Sequence, residues 1–150
     1  MTVPAVLSLA HQFPEMKITV AGPPVLREIF LRLPDNVNYV GINKRDYSGL
    51  RGLYRLYREL MDLHPTHVCD LHDVIRTKVL RFFFNLSHLP VTHIRKDRKA
   101  QKRFLNSRPP VQQETTFERY RKALERLGFP VDYSLFTPFT APSRTGGIGK

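Results

Sequence analysis

A chain of 150 residues with 41% hydrophobic content, including 10 Phe and 6 Tyr, has enough apolar surface to build one domain around its own core, which excludes a wholly disordered polymer. No apolar run reaches the roughly 18 residues that cross a bilayer, the first residues lack the cationic start of a secretory signal, and a single cysteine, Cys69, rules out an intrachain disulfide; together these predict a soluble cytoplasmic protein. Formal net charge is +11, from 24 Lys and Arg against 13 Asp and Glu, and predicts a polyanionic partner: nucleic acid, anionic headgroups or a phosphorylated glycolipid. Much of the excess falls between His93 and Arg108, where seven cations face Asp97 alone.

Thr2 and Pro4 open a first helix, with Val6, Leu7, Leu9, Ala10 and Phe13 behind them and Pro14 as its stop. Lys17 to Val20 alternates as a short strand, Gly22-Pro23-Pro24 turns the chain, and Val25, Ile29, Phe30 and Leu33 mark one face of a second helix ending at Pro34. Val37 to Ile42 reads as the next strand. The polar, flexible composition of Asn43 to Gly49 predicts a loop that carries Lys44 and Arg45 directly after a strand end. Leu50, Leu53, Tyr54, Tyr57, Leu60 and Met61 then repeat at three- and four-residue intervals, with charged residues on the other face, and predict the clearest helix of the chain. Tyr54 and Tyr57 belong to that apolar stripe by their spacing.

Thr66 to Leu71 reads as a strand running into a helix from about Asp73 to Leu86, with Ile75, Val79, Leu80, Phe82, Phe83 and Leu86 giving it a broad apolar surface. Val91 to Ile94 is a further strand, and the basic stretch Arg95 to Asn106 is helical by pattern. Thr115 with Glu118 forms a capping-box pair ahead of Phe117, Tyr120, Leu124 and Leu127, with Gly128 as the stop. The stretch from Thr137 to Lys150 holds two Pro and three Gly and reads as a linker. Helices alternating with strands predict an α/β fold, a parallel sheet with helices on both faces, which lacks a strand before its first helix.

The junction from Asp70 to Lys78 is the richest in chemistry. In parallel α/β sheets ligands bind at the carboxyl ends of strands, and a helix amino terminus adds unpaired N–H groups that attract anions. Arg76 reads either as a bidentate ligand for a carboxylate or phosphate or as a structural partner of Asp70 or Asp73. Lys78 is either a point charge for the same anion or a solvated helix residue. Asp70 either bonds a ligand hydroxyl or caps the local backbone, and His72 beside Asp73 makes a poor catalytic dyad because adjacent side chains seldom face each other. His64 and His67 straddle Pro65 with no third ligand at metal spacing, so neither a metal nor a cofactor is predicted, and no catalytic residue is assigned.

Four stretches of the chain resemble the amino-terminal domain of glycosyltransferase family 9, the ADP-heptose:lipopolysaccharide heptosyltransferase-like enzymes. They are Thr2-x-Pro4 with Leu9 and Pro14; Asp70-Leu71-His72-Asp73-Val74-Ile75-Arg76-Thr77-Lys78; the basic run Val91 to Lys99; and Thr116 to Tyr120 ahead of Gly128-Phe129-Pro130-Val131. The resemblance implies a Rossmann-like acceptor-side domain over 1–136, the first half of a GT-B enzyme without its first strand, and a linker over 137–150 leading toward a nucleotide-sugar-binding domain that this chain lacks. It implies a fragment that binds an acidic lipopolysaccharide core acceptor through Lys44, Arg45, Asp70, His72, Arg76 and Lys78. Because the expected general base lies in a Gly-Asp turn before the matched residues, the fragment is inactive alone. Nucleotide sugar enters only with the full-length enzyme, and the basic run allows peripheral contact with the inner face of the inner membrane. The alternative from another class is a small basic nucleic-acid-binding protein. Against it, the basic run has only Phe104 as a nearby stacking partner, and nucleic acid is not the expected ligand.

Overall fold

The computed structural model describes residues 2–30, 32–96 and 115–132. Helix α1 (Val3–Gln12) is followed by strand β1 (Ile18–Gly22), a 3-10 turn (Pro24–Leu26) that runs into the short helix α2 (Arg27–Phe30), and strand β2 (Val37–Gly41). Helix α3 (Gly49–Met61), strand β3 (Val68–Asp70), helix α4 (Ile75–Leu86), strand β4 (Val91–His93) and helix α5 (Thr116–Arg126) complete the order. The fold is therefore mixed α/β with short, open, parallel strand pairs.

Helix ends follow local chemistry. The Thr115 hydroxyl accepts from Glu118 N at 3.3 Å and starts α5. Gly128, at φ +98°, stops it, with its N–H donating to Glu125 O and Phe129 N–H to Leu124 O. Helix α4 begins at Ile75, two residues later than its apolar pattern suggests, because Asp73 sits in the left-handed region at φ +46° and breaks the helical run. The Thr77 hydroxyl then accepts from Val74 N at 2.9 Å and secures the first turn. The side-chain amide of Asn36 donates to the carbonyls of Ala10, Phe13 and Met16 (3.1 to 3.3 Å), holding the end of α1 and the turn after it against the chain entering β2.

β1 pairs with β2 in register Ile18 with Val37 through Gly22 with Gly41, and β3 pairs with β4 from Val68 with Val91 to Asp70 with His93. The expected single sheet is thus two separate pairs. A strand in a parallel pair gives alternate backbone groups to its neighbour. On β1 these are the groups at Ile18 and Gly22, bonded to Asn36 O and Ile42 N; on β3 they are Val68 N and Asp70 O, bonded to Pro90 O and Ile94 N. No described strand takes up the alternate groups on the outer edges of β1 and β3. Helix α1 joins the halves instead. Consecutive helix positions lie 100° apart, so Ala5 and Leu9 enter one core cluster, with Ile94, Tyr120, Ala123, Leu124 and Val131, while Val6 and Ala10 enter another with Phe30 and Val37. Ile18 packs against both.

Apolar periodicity overstated what α3 and α4 bury. Leu53 and Leu56 are the buried residues of α3, whereas Leu50 is 69% exposed; on α4 only Phe84 is buried, with Ile75 82% and Phe82 60% exposed. The two helices meet through an aromatic seam in which the Tyr57 ring lies 5.5 Å from Phe83 and 5.3 Å from Phe84. That seam uses one side of α4 and leaves its other apolar positions facing outward. Residues 97–114 and 133–150, which carry most of the basic stretch and the whole linker, lie outside the described residues.

Candidate anion-binding site

The loops after β2, β3 and β4 all leave from the carboxyl ends of their strands; Lys44 and Arg45 follow β2, Arg95 and Lys96 follow β4, and Arg76 stands in the first turn of the helix that follows β3. The loop after β2, whose composition suggested flexibility, is pinned to α3. Gly52 lets it approach: a Cβ there would lie 2.5 Å from Tyr47 C and 2.8 Å from Tyr47 Cα, so a larger residue would collide with backbone. The Tyr47 hydroxyl donates to Glu59 Oε2, a bond that raises the Tyr47 pKa, and Arg55 donates to Asp46 O with its guanidinium 5.1 Å from the Tyr47 ring centroid. Lys44 and Arg45, both exposed, ride on this anchored loop.

The loop after β3 is built on Asp70. Its side chain is 6% exposed, and Oδ1 accepts from His72 N at 2.9 Å and Asp73 N at 3.0 Å, an Asx turn that ends the strand three residues after it starts. Arg81 reaches back from α4 and places Nε 3.5 Å from Asp70 Oδ2 and Nη2 3.0 Å from Asp73 Oδ1. The Asp70 contact is an ion pair without hydrogen-bond geometry, and Asp70 Oδ2 and Arg81 Nη1 are buried with no hydrogen-bond partner. His93, at the end of β4, has its pKa lowered by burial and then by the Arg81 charge, with Asp73 pulling the other way. Cys69, one residue before the turn, has its thiol pushed up by burial, against the opposing hydrogen bond from the Thr92 hydroxyl at 3.5 Å.

Two cations tie the loops together through backbone carbonyls. Arg76 Nη1 donates to Lys44 O at 3.1 Å, joining the loop after β2 to the start of α4, and Lys96 Nζ donates to the carbonyls of His72 and Asp73, joining the loops after β3 and β4. The rim so formed displays Lys44, Arg45, His72, Arg76 and Lys96. Among the described residues Arg76 and Lys96 meet neutral carbonyls and form no ion pair, so the rim is suited to a carboxylate or phosphate.

Of the six residues singled out in the sequence, Arg76 meets the backbone of Lys44, next to Arg45, and His72 meets Lys96 through its carbonyl. Asp70 faces inward and its carboxylate serves the local backbone and Arg81. Lys78 does not join them: two positions on from Arg76 it takes a different side of α4 and lines a shallow apolar groove with Leu50, Ile75, Val79, Phe82 and Phe83. The structural partner of Asp70 and Asp73 is Arg81, not Arg76. Its signal in the sequence was a cation interrupting the run Val79, Leu80, Phe82, Phe83, where an outward-facing residue would break the apolar surface. Among the described residues no group of three His, Cys, Asp or Glu could hold a metal ion, and the His67 ring instead packs edge-on against Phe129 at 5.0 Å. Also among the described residues, no helix is long and apolar enough to cross a membrane.

Comparison with protein-family models, with curated proteins and with solved structures found no match to this chain.

Proposed function

We propose that this chain is an acceptor-binding domain of a sugar-transferring enzyme, holding an acidic sugar against the rim of Lys44, Arg45, His72, Arg76 and Lys96. The observation that carries the reading is the Arg76 bond to Lys44 O at 3.1 Å, which draws the start of α4 against the cation-bearing loop after β2, elements that follow two different strand pairs. More particularly, we propose a family 9, heptosyltransferase-like glycosyltransferase of lipopolysaccharide biosynthesis, on the resemblance of residues 70–78 and the order of the three other matched stretches. In this reading the domain is the Rossmann-like, acceptor-side half of a GT-B enzyme. The packing of α1 across both strand pairs, with Ile18 shared, is what a doubly wound sheet with one strand position between β1 and β3 would require.

Glycosyl transfer to a hydroxyl needs a base for the acceptor proton, groups that steady the departing diphosphate, and alignment of the two sugars. The rim supplies alignment. Arg76 offers paired N–H donors for a carboxylate or phosphate, and Lys44, Arg45 and Lys96 add positive charge around it. Base and donor site are not among the rim residues, and the rim by itself binds acceptor without turning it over. A glycolipid acceptor would set the domain at the cytoplasmic face of the inner membrane.

The test is titration of the chain with an acidic, phosphorylated inner-core oligosaccharide. Arg76→Ala is expected to weaken binding at least ~10-fold while changing stability by less than ~1 kcal/mol. Equal affinity in the variant removes the rim as the site. Duplex and single-stranded oligonucleotides measured at two salt concentrations test the rival, and micromolar or tighter binding at physiological salt would favour a nucleic-acid-binding protein.

A further inference from the structure

A second basic surface lies on α5, away from the six residues singled out in the sequence. Arg95, just past β4, with Arg119, Lys122, Glu125 and Arg126 of α5 line an open groove of about 440 Å³. Among the described residues four cations share it with one acid. That acid is engaged elsewhere: Arg121 lies between the two glutamates of α5, 3.7 Å from Glu118 Oε1 and 3.7 Å from Glu125 Oε2. Arg126 donates to Lys122 O at 3.2 Å and to His93 O, neutral acceptors that fix its direction without adding negative charge. Arg119 is the more telling residue, because its Nε is buried and has no hydrogen-bond partner. A buried, charged donor without an acceptor costs free energy until an anion or water meets it.

Arg119, Lys122 and Arg126 are spaced i, i+3 and i+7, so they form one row along the helix of about 10 Å at 1.5 Å per residue. A single phosphate meets only one or two members of such a row. Guanidinium groups on either side of a lysine instead suit two phosphates held side by side, Arg126 meeting one through the Nη hydrogens that its bonds to Lys122 O and His93 O leave over. The volume is that of a small-ligand site, and its openness to solvent suits a hydrophilic anion.

We infer that the α5 groove binds a ligand carrying two neighbouring phosphate groups, with Arg119 as the principal contact and Arg95, Lys122 and Arg126 completing the cradle. This site adjoins the rim along the loop after β4, where Arg95 precedes Lys96, but it is lined by other side chains and does not depend on the acceptor reading. Such phosphates occur in a free diphosphate or on a phosphorylated glycolipid headgroup.

Isothermal titration of the full chain with inorganic pyrophosphate and with orthophosphate tests the inference. Pyrophosphate is expected to bind at least ~10-fold more tightly than orthophosphate, and Arg95→Gln with Arg119→Gln to weaken it at least ~10-fold, while Arg51→Gln on α3 leaves it within about twofold. Phosphatidylcholine vesicles with and without a bisphosphorylated glycolipid identify the source: co-sedimentation that pyrophosphate displaces points to a headgroup, and its absence to a free diphosphate. Equal affinity for the two phosphates, or pyrophosphate binding that survives the double substitution, overturns the inference. Loss of the circular dichroism spectrum in the double variant would be met by Arg119→Lys, which keeps the charge but not the fork and is still expected to bind pyrophosphate several-fold more weakly than the parent; undiminished binding overturns it.

Discussion

Arg81→Met removes the cation that contacts two carboxylates nearly out of solvent. Side-chain exposures are 14% for Arg81, 6% for Asp70 and 13% for Asp73. At 3.0 and 3.5 Å, each attraction is worth about 5 kcal/mol gross at an effective dielectric of about 20, and the cost of desolvating three ions offsets most of it. The net value of the triad is therefore small. Breaking it is not: the substitution leaves Asp70 and Asp73 close together without this counterion, and loss of one partner from a buried pair costs about 3–5 kcal/mol. For a chain of this size that corresponds to a fall in Tm of roughly 6–20 °C. Urea denaturation at pH 7 should show the loss as a lower midpoint with an unchanged slope. Asp70→Asn and Asp73→Asn in the same chain should recover more than half of it, because the amide oxygen introduced at position 70 can still accept from the two backbone N–H groups of the turn. A change below about 1 kcal/mol, or no recovery in the triple variant, would refute an electrostatic role for Arg81.

Gly52→Ala should force the loop after β2 off α3, since the added methyl meets Tyr47 backbone at 2.5 Å; the expected cost is about 1–3 kcal/mol, with weaker binding of an acidic ligand at Lys44 and Arg45, checked by denaturation and titration side by side. His93 should titrate below the ordinary histidine value of 6.5, read from its imidazole resonances by NMR, and a midpoint at or above that value would contradict its burial beside Arg81 and Arg126. The unfolded chain takes up that proton first as pH falls, so His93 lowers stability progressively from about pH 6.5 downward to its own folded midpoint. His93→Gln should therefore gain relative to the parent between pH 7 and pH 5.

Sequence alone determined the alternation of helices and strands and the ends of the later helices, because apolar period, Thr115 and Gly128 act within a few residues of themselves. It also marked Asp70 to Arg76 as the chemical junction, since acid and cations at a strand-to-helix turn are a local pattern. Tertiary structure alone decided that Arg76 bonds the Lys44 carbonyl, that Arg81 pairs with Asp70 and Asp73, and that Lys78 faces elsewhere. Those contacts join residues brought near one another by strand pairing and helix packing, whose geometry no short window of residues contains. The same holds for burial: an apolar stripe on α4 promises a covered face, but only the neighbours actually present choose which part of it is covered, and here α3 reaches Phe84 and leaves Ile75 and Phe82 exposed.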